Sequence, residues 1–495
     1  MTDHAVGHND PNAGEPAHLN LPGYLTAWVA AQRWFSQAGP TPTLQQVGMW
    51  CLPQAEPGVD IRVLLVRDSA RAEATVFQVP ITERTATLTS AADALIATLI
   101  PVDGPARFIY DAPHDPAFAA GLLRFILQRE AYPEHVDVQA ETVARGLTIA
   151  GASTVPTQPT VVSSRVLRGE QSNTSIIYTL VDDEGEHVRP VICKIFRALQ
   201  PGENPDVTVQ SALARAGSRC IPDPVGCIEG EWTDAREPDA RARGHLAFAQ
   251  EFLPNAPDAW RQAVASAEAG DDFREAARRL GVTTATLHTE LTMVRPTLTP
   301  TPAVMVNIVS GMLDRLRQAI LDVPQLARQR DAIERVYARA LTVPWPRLQR
   351  IHGDFHLGQV LDAPGRGWTV LDFEGEPLRA LTERDLPDVP LRDVAGMMRS
   401  FDYVCGTVTR VRPESDPAAL AEWAATSRRA FLDGYTERSG QRVRENDPLL
   451  TAFELDKAVY ETVYETRNRP DWLPLPLEAV YRIAAADRRS RNDQD

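Results

Sequence analysis

The sequence predicts an α+β protein whose first half is rich in strands and whose second half is mostly helical. Two patterns lead there. Up to about residue 256, runs such as "IRVLLVRD", "ATVFQVPITER" and "SIIYTLV" are β-branched or alternate in polarity, as half-buried strands do. From about residue 258 onward, apolar residues mostly recur every three or four positions, as on amphipathic helices. A third observation sets the scale. A chain of 495 residues, 43% of them hydrophobic, exceeds what one core usually organises, so two or more domains are expected.

The elements follow in order. Residues 1–18 are polar and rich in Gly, Pro, Asn and His, and are expected to be a mobile tail. A first subdomain spans 19–105: "LPGYLTAWVAAQRWF" has helical spacing, and two alternating strands follow it. A second spans 106–256. It opens with the helical "PAFAAGLLRFILQRE" and passes through the Thr, Pro and Ser-rich "GASTVPTQPTVVSS". Apolar runs at 175–181 and 189–196 then flank the turn-forming "DDEGEH", which predicts a hairpin. Asn204 and Pro205 suit the N-cap and first position of a helix. "HLAFAQEFL" reads as one more strand, and the helical region 257–495 follows.

Composition excludes several functions. The formal net charge of -15 argues against nucleic-acid binding, which depends on clustered Lys and Arg. No stretch approaches the roughly 20 apolar residues that span a bilayer, and the first 20 residues lack both a basic leader and an apolar core, so a cytoplasmic protein without membrane partners is expected. Cys51, Cys193, Cys220, Cys227 and Cys405 are scattered and odd in number, as expected of reduced thiols.

The chemistry concentrates in "IHGDFHLGQVLD" (351–362) and "GWTVLDFEGEP" (367–377). Gly365 and Gly367 between the two segments permit a hairpin that brings Asp372 back toward Asp354. Phosphoryl transfer requires such parts, because there the protein mainly positions reactants and stabilises charge. An aspartate accepts the substrate hydroxyl proton, while an amide and a second carboxylate hold Mg2+ on the phosphates. His-x-Asp-x-x-x-x-Gln followed by Asp-Phe-Glu-Gly fits that division: Asp354 as base, Gln359 and Asp372 as hard oxygen ligands for Mg2+.

A kinase also needs nucleotide contacts in the β-rich half. Lys194 sits inside the apolar "VICKIF", where an ammonium either reaches water or meets phosphate oxygens. Upstream, "RGEQSNTS" is a small polar turn whose amides and hydroxyls, notably at Ser172, Asn173 and Thr174, suit phosphates. "FAQEFL" precedes the helical half where a hinge must read adenine, which makes Gln250 and Glu251 candidates. The acid that should pair with Lys194 is left open between Glu203 and Asp206. Near the C-terminus, Lys457, Tyr460, Glu461, Tyr464 and Glu465 are spaced by three and four, so one helix face carries a cation, two phenols and two carboxylates. Such a face suits a sugar, and equally a solvated face with intrahelical pairs. Asp393, early in "LRDVAGMMRSFDY", is read as structural support, capping its helix or accepting amides of the 351–362 loop.

Together, "RGEQSNTS", "NPDV", "HGDFHLGQVL", "VLDFEGEPLRALTERD", "PLRDVAGMMRSFDY" and "KAVYETVYETRNRPDWLPLPL" closely resemble the maltokinases, within the aminoglycoside-phosphotransferase-like branch of the protein-kinase-like fold. "RWF" at 33–35 and "FQVPITER" at 77–84 resemble that family's N-terminal cap. The resemblance implies a bilobal kinase with a cap over 19–105, a nucleotide-binding N-lobe within 106–256 and a helical C-lobe over 257–495. It implies transfer of phosphate from ATP to the anomeric hydroxyl of maltose, giving maltose 1-phosphate for α-glucan synthesis. Asp354 would then be the base, Gln359 and Asp372 the Mg2+ ligands and Lys194 the phosphate lysine, with Lys457, Tyr460, Glu461 and Tyr464 lining the maltose site. A monomer, with a separate trehalose synthase as possible partner, goes with the same resemblance. Two positions depart from the family pattern: Thr208 stands where Glu is common, and "RWFSQAG" lacks a lysine often found after "RWF". The alternatives are a glucosamine kinase, a more distant aminoglycoside kinase, and a non-catalytic pseudokinase, against which the intact Asp354, Gln359 and Asp372 count.

Overall fold

The computed structural model describes residues 21–492 apart from 36–41, 54–55, 71–74, 102–103, 134–141, 150–154, 169–171, 235–239, 377–383 and 385. The expected tail 1–18 and residues 169–171 of the polar turn lie outside the described residues. The chain divides into two compact units. Unit 1 comprises Met1–Ile149, Thr154–Glu203 and Val225–Phe252, and unit 2 comprises Ala150–Ser153, Asn204–Pro224 and Leu253–Asp495. Residues 204–224, which precede the division expected near residue 257, group with the helical unit.

Unit 1 holds two antiparallel sheets. The first contains β1 (Leu44–Cys51), β2 (Val59–Asp68), β3 (Val76–Arg84), β4 (Leu95–Leu99) and β5 (Arg107–Asp111), ordered β1-β2-β3-β5-β4. The boundary expected at residue 105 therefore falls just before a strand of this sheet. Helix α1 (Gly23–Ala30) turns Leu25 and Val29 onto a core with Phe35, Leu64, Val66, Phe77, Val79 and Ile109. Helix α2 (Pro116–Leu127) begins where Asp115 caps it and buries nearly every apolar side chain.

The second sheet contains β6 (Ala131–Tyr132), β7 (Val143–Thr148), β8 (Thr160–Val166), β9 (Asn173–Val181), β10 (His187–Phe196), β12 (Pro224–Thr233) and β13 (Arg241–Glu251), ordered β6-β7-β12-β13-β10-β9-β8. The short β11 (Ala198–Leu199) pairs with β3. Buried polar groups sew the sheets together at this point. Gln78 donates to the carbonyls of Phe196 and Leu246, and its own oxygen accepts from the Trp50 indole. Arg197, 1% exposed, donates to the Thr174 hydroxyl at 2.9 Å and to Asp111 at 3.2 Å, and lies over the Trp34 ring. Each such bond contributes about 1 kcal/mol, whereas leaving one partner buried and unpaired costs about 1–3 kcal/mol, so these residues act as locks rather than decoration.

Unit 2 contains α3 (Pro205–Arg215), α4 (Ala259–Ala269), α5 (Arg274–Val294), α6 (Pro302–Asp322), α7 (Arg330–Ala340), α8 (Leu391–Val411), α9 (Pro417–Ser439), α10 (Pro448–Asn468) and α11 (Pro474–Asn492), with one hairpin of β14 (Val360–Ala363) and β15 (Gly367–Val370). As expected, Asn204 caps α3 and Pro205 opens it. Helices α5 and α9 pack closely because Gly281 faces the Phe431 carbonyl and Gly434 faces the Arg278 carbonyl; a Cβ at either would sit 2.0 Å from that oxygen. Helix α10 starts at the Asp447 cap with Pro448 in its first turn and stops before Pro470. No described helix is long and apolar enough to cross a membrane.

Candidate active site

The loop 351–359 is held from behind by α8. Asp393, 1% exposed, accepts the backbone amides of His352 at 2.7 Å and Gly353 at 2.9 Å, and also contacts His288 Nε2 at 3.0 Å. Asp393 thus does the loop-supporting task, with the Tyr435 hydroxyl on the other ring nitrogen of His288. His352 is fully buried, and its Nε2–H donates to the Leu371 carbonyl while Nδ1 accepts the Asp354 amide. Those two bonds define one neutral tautomer. Gly353 has φ 93°, a left-handed conformation that a side chain would strain.

The β14–β15 hairpin returns the chain to this loop. Gln359 Nε2 donates to Asp372 Oδ2 at 3.3 Å, and the Leu371 amide donates to the Gln359 carbonyl. Asp372 itself has φ 62°, an unusual conformation for a residue with a side chain, and one that tends to occur where a site constrains the backbone. The next amide, Phe373, donates to Asp206 at the start of α3 at 2.8 Å. Carboxylate oxygens of Asp206, Asp372 and Glu374 lie within 4.8 Å of one another. These three carboxylates offer hard oxygens of the kind Mg2+ takes, while Gln359 turns its amide nitrogen toward Asp372.

Asp354 opens into a cavity of about 410 Å³ within unit 2. Helix α10 supplies Lys457, Tyr460, Glu461, Tyr464 and Glu465 to its walls, α8 supplies Tyr403, and Trp260 and Trp472 complete the aromatic lining. Lys457 donates to Asp354 Oδ1 at 3.1 Å and to Glu376 at 2.9 Å, above the Tyr460 ring. Glu461 accepts from Arg399, and Glu465 accepts from the Tyr403 hydroxyl and from Arg469. Tyr403 stacks on Trp472 at an interplanar angle of 10°. Burial pushes the Asp354 carboxyl up, but Lys457 and His356 outweigh it and hold it down at about 2. Burial alone would discharge Lys457, yet Glu376 and Asp354 keep it above the usual lysine range. Burial also holds the His356 imidazole below its ordinary value.

Comparisons with known proteins agree with this architecture. Residues 28–115 match the maltokinase N-terminal cap domain, and residues 169–375 match the phosphotransferase enzyme family. Residues 169–375 are thus similar to a phosphotransferase-family domain, and residues 28–115 to a maltokinase-type cap that precedes it. A glucosamine kinase of Streptacidiphilus jiangxiensis is 31% identical over 301 residues, spanning 56% of this chain and 64% of that protein. One from Mycolicibacterium smegmatis is 29% identical over 346 residues, 64% of this chain and 80% of that protein. A solved glucosamine kinase in complex with glucosamine, ADP and inorganic phosphate superimposes with a TM-score of 0.59 at 25% identity, covering 92% of this chain and 98% of the other. The mixed α/β order read from the sequence is that of a capped phosphotransferase.

Within unit 2, Asp354, Lys457, Tyr460, Glu461 and Tyr464 line one cavity, and Gln359 and Asp372 meet beside its loop. In unit 1, Lys194 is half-buried on β10, opposite Ser175 and Phe248. Ser172 is exposed and Asn173 begins β9. The Thr174 hydroxyl is taken by Arg197. Glu251 pairs with Arg189, while Oε1 of Gln250 is buried with no hydrogen bond among the described residues. Asp206, considered as a mate for Lys194, directs its carboxylate to Gln210 and the Phe373 amide. The sequence reading missed Glu376, Arg399 and the aromatic residues Trp260, Tyr403 and Trp472. All but Trp260 lay in segments already singled out, Glu376 in "GWTVLDFEGEP", Arg399 and Tyr403 in "LRDVAGMMRSFDY" and Trp472 in "RPDWLPLPL", without a role in the cavity being read from them.

Proposed function

We propose that this phosphotransferase is a cytoplasmic maltokinase, which transfers the γ-phosphoryl group of ATP to the anomeric hydroxyl of maltose and releases maltose 1-phosphate and ADP. One observation carries the choice of acceptor: the cavity at Asp354 is walled by five aromatic rings, and each carboxylate lining it already has a cation. Asp354 has Lys457, Glu461 has Arg399 and Glu465 has Arg469. Aromatic faces suit the apolar faces of pyranose rings, and the compensated charge favours a neutral sugar over a cationic one. From Lys457 to Glu465 the helix runs eight residues, about 12 Å, a length that takes two rings end to end.

In this reading Lys457 occupies Oδ1 of Asp354 and leaves Oδ2 to accept the attacking hydroxyl. A carboxyl held at about 2 is a weak base, so Asp354 chiefly orients that hydroxyl and takes its proton late, as a loose phosphoryl-transfer transition state permits. Gln359 and Asp372, with Asp206 and Glu374 beside them, would hold Mg2+, which neutralises charge on the transferring phosphates. Lys194 would meet phosphate oxygens, and Ser172 and Asn173 would line the phosphate turn. Gln250 and Glu251 would lie at the adenine. Supply of maltose by a separate trehalose synthase follows from the family resemblance alone.

A second reading, glucosamine kinase, is favoured by the names of both curated relatives and of the solved neighbour. ADP release measured with ATP, Mg2+ and either maltose, glucose or glucosamine separates the two. Maltose is expected to be preferred, and Asp354→Asn should reduce its turnover at least about 100-fold with nucleotide binding retained. Preference for glucosamine would replace the acceptor, and an active Asp354→Asn variant would remove the base.

A further inference from the structure

The hydrogen bonds of Glu461 are asymmetric. Both nearby donors of Arg399, Nε at 3.0 Å and Nη2 at 2.7 Å, converge on Oε2. Among the described residues Oε1 receives no hydrogen bond, it is not one of the fully buried unpartnered atoms, and Glu461 lines the cavity, which leaves Oε1 as its unengaged oxygen there. Arg399 is itself 1% exposed. Its third nitrogen, Nη1, donates to Asp402 at 2.5 Å, and its guanidinium packs against the Tyr403 ring at 5.6 Å. With all three nitrogens engaged and no access to solvent, the guanidinium has one orientation, and that orientation fixes the carboxylate plane of Glu461.

The placement gives this a purpose. Glu461 lies one helical turn beyond Lys457, which holds the reacting end of the cavity through Asp354. A carboxylate oxygen at that point is beyond the attacking hydroxyl and within reach of the remainder of a saccharide. We infer that Arg399 is a positioning residue that sets acceptor specificity, holding Glu461 so that Oε1 accepts a hydroxyl of the sugar away from the site of transfer. Arg399 never touches the acceptor. The inference rests on the sugar-kinase reading of the cavity, and it adds a residue from a different helix, α8, to the recognition apparatus.

The test is a double-mutant cycle of Arg399→Gln and Glu461→Gln, read as Michaelis constants for maltose and for ATP. Each single variant is expected to raise the maltose constant about tenfold, with the ATP constant within about twofold, and the double variant should be no worse than the weaker single, because one interaction is removed twice. Asp402 keeps Arg428 and Arg482 when Arg399 is lost, so its charge is not stranded. If Arg399→Gln fails to fold, Arg399→Lys serves: it keeps the charge but cannot aim two donors at one oxygen, and the same rise is expected. A maltose constant unmoved in folded Arg399 variants, or single effects that multiply in the double, would overturn the inference. A wild-type protein that phosphorylates no sugar would instead sink the kinase reading, and one that takes only glucosamine would move the same cycle to that acceptor.

Discussion

At the scale of single residues, the pair formed by Asp354 and Lys457 decides how the site behaves with pH. Asp354 is held at about 2, below the ordinary value of about 3.9, so it stays ionised through the neutral range. Its contribution to stability is therefore present above about pH 4 and lost as the pH falls toward 2. The acid limb of turnover near neutrality should not come from this group. Lys457→Met removes the cation that opposes burial, so the Asp354 value should rise and the acid limb of the rate profile should move to higher pH. A profile identical to wild type would mean that Lys457 does not set the charge of Asp354. The face that carries Lys457 was legible because α10 repeats polar and aromatic groups at helical spacing. Glu376 and Arg399 were not, since nothing local to 376 or 399 says that a carboxylate on one loop and a guanidinium on another helix hold Lys457 and Glu461, which line the cavity.

At the scale of elements, the supporting relation between α8 and the 351–359 loop bears most directly on catalysis. Asp393 accepts two loop amides and faces His288, so Asp393→Ala would leave two buried amides and one imidazole nitrogen short of an acceptor. A loss of about 2–5 kcal/mol in denaturant unfolding is expected, with a turnover loss larger than any change in the maltose constant. Undiminished turnover in a folded variant would show that the loop holds its shape without α8. The hairpin β14–β15 was readable from Gly365 and Gly367, which both take positive φ, and from the apolar strands on either side. The capture of Thr174 by Arg197 was not readable. A hydroxyl in a polar turn looks the same whether it faces a phosphate or a buried guanidinium 23 residues away.

At the scale of the whole molecule, the order of strands before helices followed from the change of hydrophobic period near residue 257, and the family followed from long motifs rather than from any one short match. The exact unit boundaries did not follow. The helix expected from Asn204 and Pro205 was assigned to the segment 106–256, whereas α3 packs with the helical unit and lends Asp206 to the Phe373 amide. The two sheets of unit 1 are joined through Gln78 and Arg197, polar residues whose partners on the opposite sheet lie more than 80 positions away, and sequence periodicity carries no signal for such a junction. In the proposed reaction, phosphate moves to the anomeric oxygen of a neutral disaccharide. The direct measurement is the proton-coupled phosphorus NMR spectrum of the product formed from ATP, Mg2+ and maltose, with reducing-sugar content followed in parallel. The account expects a phosphate signal coupled to the anomeric proton and loss of the reducing end in step with ADP release; a phosphate on a primary hydroxyl, with the reducing end intact, would contradict it.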